Sequence, residues 1–233
     1  MTASTASQAL VDAAAAVVSR TDVADTLSRL LADCAKFTAA DAIGVLVHDD
    51  HGGLEILSAT SHRAAELELY QLQHDTGPCV DAARDGEPLV ADSDADLTGR
   101  WGEVGEAIVA AGFHAVHAVP LRWHGRLVGA LGAFHTDAGT LDDEARQLTQ
   151  AFADLATLAI VQTPDLTDHQ LQERVRDALA GRTVIEQAKG VLAHTGNLEM
   201  DAAYQHLVRH AADHNTTLTD AATTIIQQAR QRP

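Results

Sequence analysis

Lys189 and Gly190 stand side by side near the end of a helical run, ALAGRTVIEQAKGVLA, that spans Ala178 to Ala193. A glycine inside a helix costs about 1 kcal/mol against alanine, so the pair needs a reason. A solvent-reaching Lys189 would offer a cation to phosphate, and Gly190 would let another backbone approach closely. The plainer alternative is that Gly190 makes room for a following helix while Lys189 snorkels along the surface. Arg182 and Arg209 could add cationic contacts, and Asn215 could either cap a helix or hydrogen-bond a base edge.

Other residues invite different chemistry. Cys79, in the run Gly77-Pro78-Cys79, sits at the start of a short helix, where the dipole lowers a thiol pKa. It is a candidate redox-responsive thiol, or else a buried structural cysteine. Trp101 and His117, with Phe113, His114 and Trp123, are candidates to border a ligand cavity. His206, His210 and His214 recur every four residues and share a helical face, but a zinc site needs further ligands, and none falls obviously near. Asp92, Asp94 and Asp96 read as a solvated acidic loop. There is no Ser-His-Asp ordering, phosphate loop or CxxC spacing. The expectation is no enzyme, no catalytic residue, no metal and no cofactor.

Composition narrows the setting. Of 233 residues, 46% are hydrophobic but only 3% aromatic, so the core must be built mostly from Ala, Val and Leu. The net charge of −17 is uneven: residues 1–164 carry −15 and residues 165–233 only −2. An evenly acidic chain would repel a nucleic acid; a nearly neutral C-terminal part need not. Two cysteines far apart in sequence fit a reducing compartment. With no apolar run near the ~18 residues of a span and no signal-peptide pattern at the N-terminus, the expected location is cytoplasmic, without a membrane partner.

Two helical runs are expected over 7–38, with Thr21 or Asp22 capping the second. A hairpin then turns at Asp49-Asp50-His51-Gly52-Gly53. A helix around 64–73, a short helix over 79–84 and a short strand at PLVAD follow. Next come a helix over 101–111, a second hairpin turning at Trp123-His124-Gly125-Arg126 and a helix over 141–162. This order predicts an α+β domain, an antiparallel sheet covered by helices. Thr163-Pro164-Asp165 breaks the pattern. Beyond it only helices are expected, over 168–194, 200–214 and 219–230. The predicted division is 1–162, a linker 163–167, and an all-α three-helix unit 168–233. In the long helix Leu171, Val175, Ala178, Ile185 and Leu192 form a seam able to pair with another helix.

The phrase GPCVDAARDGEPLVADSDAD followed by AVPLRWHGRLVGALGAFH resembles the GAF domains of actinobacterial regulators. RTVIEQAKGVLA with AAYQHLVRHAADHNTTLTDAATTII resembles an ANTAR domain, through Arg182, Ile185, Ala188, Lys189, Gly190, Leu192, Ala203, Tyr204, Leu207, Asn215, Leu218 and Ala222. The first resemblance implies a sensor with a pocket for an unidentified small molecule. The second implies a three-helix module that binds RNA hairpins and acts in transcription antitermination, here as a homodimer. Several positions often basic or polar in that family are Thr195, Val208, Ala211, Ala212 and Thr217. The alternative reading is therefore a protein-interaction or redox-sensing regulator with degenerate RNA binding.

Overall fold

In the computed structural model of the chain, residues 5–19, 22–139, 141–161 and 167–231 are described. The expected break at 163–165 and the alternative cap Thr21 lie outside them. Two helices, α1 (Ala6–Val18) and α2 (Val23–Thr38), come first. Asp22 caps α2, its Oδ1 accepting from the amides of Ala24 at 2.9 Å and Asp25 at 3.2 Å. Strands β1 (Ala42–His48) and β2 (Leu54–Ala59) form the first hairpin. Asp49 Oδ1 closes its turn by accepting from His51 and Gly53, the Asx device expected of such a composition.

After α3 (His62–His74), α4 (Pro78–Asp85) and β3 (Leu89–Ala91) come two short helices, α5 (Asp94–Trp101) and α6 (Glu103–Ala110). The acidic loop expected at 92–96 is thus largely a helix start. Ser93 caps it through the Asp96 amide, and Asp94 and Asp96 sit in the first turn, where carboxylates favour the dipole. The second hairpin, β4 (Ala115–Trp123) and β5 (Arg126–His135), turns through His124 and Gly125, both at positive φ, as a two-residue connection requires.

The five strands run β2-β1-β5-β4-β3, every neighbour antiparallel. Both faces are covered, so the central strands are buried throughout. Ile43, Val45, Val47, Val119, Leu121, Leu131 and Ala133 face α2 and α7 (Asp143–Val161), whose Leu27, Leu30, Leu31, Phe152, Ala156 and Ile160 complete that core. The alternate residues Leu46, Val116, Ala118, Ala130 and Phe134 face α3 to α6, against Leu67, Val80, Leu97, Val104 and Ile108.

The remaining elements are α8 (Asp168–Gly196), α9 (Met200–Asp213) and α10 (Leu218–Arg230). Thr167 and Gln170 make reciprocal bonds that start α8, a capping box. Asn197, at φ 48°, ends it. At 1.5 Å per residue α8 is about 43 Å long, and its burial changes partner midway. Val175 and Ala178 join the sheet–α2–α7 core, whereas Ile185 and Ala188 join Leu207, Ala211, Leu218, Ala222 and Ile225 in a separate C-terminal core. The expected helix-pairing seam is occupied within the chain: its first half by the N-terminal domain, its second by α9 and α10.

Candidate nucleic-acid interface and sensor interior

Lys189 was expected to reach solvent; the structure buries it, leaving only 8% exposed. Its Nζ donates to both carboxylate oxygens of Glu186, at 2.9 and 3.0 Å, and lies 5.5 Å from the centre of the Tyr204 ring. The physical reason is register. Ala188 faces the C-terminal core, and the next position turns toward the gap between α8 and the N-terminal domain. There Arg182, Glu186, Lys189 and Tyr204 meet Leu27 of α2 and Leu57 of β2 around a cavity of about 40 Å³.

Gly190, in contrast, is exposed, and a Cβ built on it meets nothing within 4 Å. It makes no room for α9 or α10, so the packing explanation for the glycine fails. Arg209 on α9 and Asn215 after it are exposed, Asn215 at φ 50°. The structure therefore brings Arg182 and Lys189 to one cleft and leaves Gly190, Arg209 and Asn215 on open surface. Tyr204 packs against the C-terminal core and is half-buried. His210 and His214 stack at 4.1 Å, and among the described residues no His, Cys, Asp and Glu group gathers as a metal ligand set.

Sequence reasoning missed the polar contacts that join the two parts. Tyr204 donates its hydroxyl to Ser28 Oγ of α2 at 2.8 Å. Asp25 Oδ1 accepts from the amide of Leu218, the first residue of α10, at 2.9 Å. Asp201 Oδ1 accepts from the His62 amide at the start of α3, at 2.7 Å, and Arg176 Nε donates to Asp50 at 2.7 Å. Each bond spans more than a hundred positions, and no local pattern announces it.

In the N-terminal domain, Cys79 is fully buried. Burial, followed by the adjacent Glu68 carboxylate, pushes its thiol well above the usual range. The expected lowering by the helix start is thus overridden, because desolvation of a thiolate outweighs the dipole of one short helix. Cys34 lies on the opposite face of the sheet, and burial pushes its thiol up to about 12. Neither cysteine is in a disulfide. A redox-responsive, accessible thiol at Cys79 is not what the fold presents.

Cys79 belongs to a polar knot that the sequence did not reveal. Its amide donates to Gln71 Oε1 at 3.0 Å, and Gln71 Nε2 donates to Glu68 Oε2 at 2.9 Å. Glu68 is wholly buried, its Oε1 meets no hydrogen-bonding N or O among the described residues, and burial pushes its carboxyl up to about 8. Two glycines paired across β1 and β5 make the space. A Cβ at Gly44 would fall 2.3 Å from Glu68, and one at Gly132 would fall 2.2 Å from Cys79 Sγ. Paired strand glycines were the one signal that could have found it.

Trp101 lies on this same face, buried, its indole N–H donating to Asp81 at 2.6 Å. His117 does not. It pairs in register with Ala133 and so points to the α2–α7 side, where burial, then His135 and Arg146, pull its pKa down to about 4. The sheet separates His117 from Cys79 and Trp101, so the three do not border one cavity.

Fold and contacts together define a class: an α+β sensor-type domain whose last helix is followed by a helix shared with a compact three-helix module. The GAF domain family model matches residues 22–160 and the ANTAR domain model residues 173–226; with more than half its length matched by the former, the chain belongs to the GAF family and carries an ANTAR domain. Among solved structures it is similar to the phycoerythrobilin-bound GAF domain from a cyanobacterial phytochrome. Identity is 13%, the TM-score is 0.52, and 69% of this chain and 96% of that one are covered. For a phycocyanobilin-bound GAF domain from a cyanobacterial phytochrome the values are 12%, 0.51, 68% and 94%. These likenesses establish the fold. No curated protein sequence matches. Both domains are of regulatory rather than catalytic type, and together they support a signal-responsive regulator. Among the described residues no helix is long and apolar enough to cross a membrane.

Proposed function

We propose that this protein is a cytoplasmic transcription antitermination regulator in which a small-molecule effector of the GAF domain controls the grip of the ANTAR domain on RNA hairpins. The observation that supports this best is the dual membership of α8. Val175 and Ala178 are packed in the sensor core and Ile185 and Ala188 in the C-terminal core. A change in sensor packing therefore has a rigid element through which to move the RNA-binding module. We take the domains as 1–162 and 168–233, joined by 163–167. Arg182, Lys189 and Arg209 would contact phosphates, Gly190 would admit a close-lying backbone, and Asn215 would read an unstacked base. The effector would enter between the sheet and α3–α6, near Cys79 and Trp101. Exposed Val11 and Val18 of α1 and Leu158 of α7 are the apolar surface on which a second copy would pair, presenting two modules to paired hairpins.

The test is a gel-shift series with RNA stem-loops across a range of salt. Binding should fall linearly in log affinity with log salt, and Lys189→Ala should weaken it and reduce the slope by about one. Equal, salt-insensitive retention of wild type and variant would overturn the reading.

A further inference from the structure

The cavity between the two domains lies on the opposite face of the sheet from Cys79 and Trp101. Leu27 of α2, Leu57 of β2, and Ala178 and Ile185 of α8 give it apolar walls, all of them buried. Arg182, Glu186 and Lys189, at steps of four and three along α8, share one face of that helix and supply its charge. An ammonium has three N–H donors, and Lys189 gives two acceptors of Glu186 their bonds, at 2.9 and 3.0 Å. Arg182 is different. It is half-buried, yet among the described residues its guanidinium has no hydrogen-bonding or ion-pair partner. A planar fork of N–H donors, held beside apolar walls and unanswered by the chain, suits a planar acceptor from outside it.

We propose that this cavity binds the carboxylate of a short aliphatic acid, with Arg182 as the fork and the apolar walls around the hydrocarbon end. Charge selects the class first. The lining holds two cations against one carboxylate, and Glu186 is engaged by Lys189. A single negative charge therefore balances the site, and a doubly charged phosphate would exceed it. Size agrees. The cavity is about 40 Å³, room for about three water-sized groups, which suits a carboxylate with one or two further carbons. The Leu, Ile and Ala walls gain from burying that carbon. The net charge of −17 repels anions at long range, but salt screens that field beyond about 8 Å and leaves the local cations to decide. The site is separate from the effector pocket proposed between the sheet and α3–α6. A phosphate of RNA and this carboxylate would claim the same guanidinium, so the assignment adds a use for Arg182 and does not rest on RNA binding.

The experiment is an NMR titration of the full chain, methyl-labelled at Leu, Ile and Val, at constant ionic strength and without RNA. The probes are sodium propionate, propionamide, which has a similar shape without the charge, and inorganic phosphate. Propionate should shift the methyls of Leu27, Leu57 and Ile185 saturably, while propionamide and phosphate should leave them unmoved. Arg182→Met keeps the length of the side chain without its donors. It should weaken propionate binding by roughly tenfold or more, as loss of a charge-assisted bidentate contact does. Arg209→Met, on the exposed face of α9, should match wild type. Should Arg182→Met unfold, propionate against propionamide on the wild type still decides. Saturation by phosphate in place of propionate assigns the cavity to another anion and overturns the proposal. An equal response to propionamide means an apolar hole without anion recognition, and folded Arg182→Met binding as tightly as wild type means the fork is unused; either overturns it. No saturable shift with propionate would show that solvent alone satisfies Arg182, with the same consequence.

Discussion

The hydroxyl of Tyr204 on α9 donates to Ser28 on α2 at 2.8 Å, joining positions 176 residues apart. Tyr204 is also the ring beneath the Lys189 ammonium. One side chain thus ties the buried cation of the C-terminal module to the second helix of the N-terminal domain. Tyr204→Phe keeps the ring and removes the bond, so it should lower unfolding stability by about 1 kcal/mol. Exchange should accelerate at α2 and α9 with the sheet amides unchanged; native-state hydrogen exchange resolved by peptide would check this.

Glu68 should give the protein an unusual pH dependence. Its carboxyl is raised from 4.5 to about 8 in the folded state, chiefly by burial, so the native protein holds a proton that the unfolded chain releases. Its contribution is fully present below about pH 4.5 and is lost as pH rises through about 8, with a slope of up to about 1.4 kcal/mol per pH unit. Glu68→Gln, which stays neutral, should flatten this limb. Urea midpoints at pH 5 and pH 8 for both proteins would decide; parallel pH curves would refute it.

Both thiols should be inert in the folded protein. Cys34 and Cys79 are fully buried and their pKa values are raised, so an aromatic disulfide reagent at pH 8 should modify neither until denaturant is added. Modification of Cys79 at the rate of a free thiol would show that the α4 region opens far more readily than its packing suggests.

Gly190→Ala should stabilise α8 by about 0.5–1 kcal/mol, because the position is helical and the added methyl meets open space. If the missing side chain serves RNA approach, the same change should weaken hairpin binding. Thermal melts and gel shifts on one preparation would show the two effects with opposite sign. A variant that is stabilised with unaltered binding would leave Gly190 without a function.

Much of this architecture was legible locally. Asp22 before an amphipathic run, the turn at His124-Gly125 and the glycine- and aspartate-rich turn after β1 act through neighbours a few residues away, so the chain announces them. The start of α5 did not, because an eight-residue helix with only Leu97 and Trp101 buried lacks a periodic face. Glu68 looked like any acidic residue of a surface helix. Its burial depends on Gly44 and Gly132, which meet it only once β1 and β5 are paired.

By itself, then, the chain determined most of its elements and their order, the antiparallel sheet and the two family signatures, since caps, turns and apolar periods act over a few residues. Tertiary structure alone decided which face of the sheet His117 occupies, that the thiols are sealed, and that Lys189 lies under the sensor rather than in water. Those outcomes depend on strand register and on contacts between residues more than a hundred positions apart. Their energies come from burial and pairing that exist only after the domains have met.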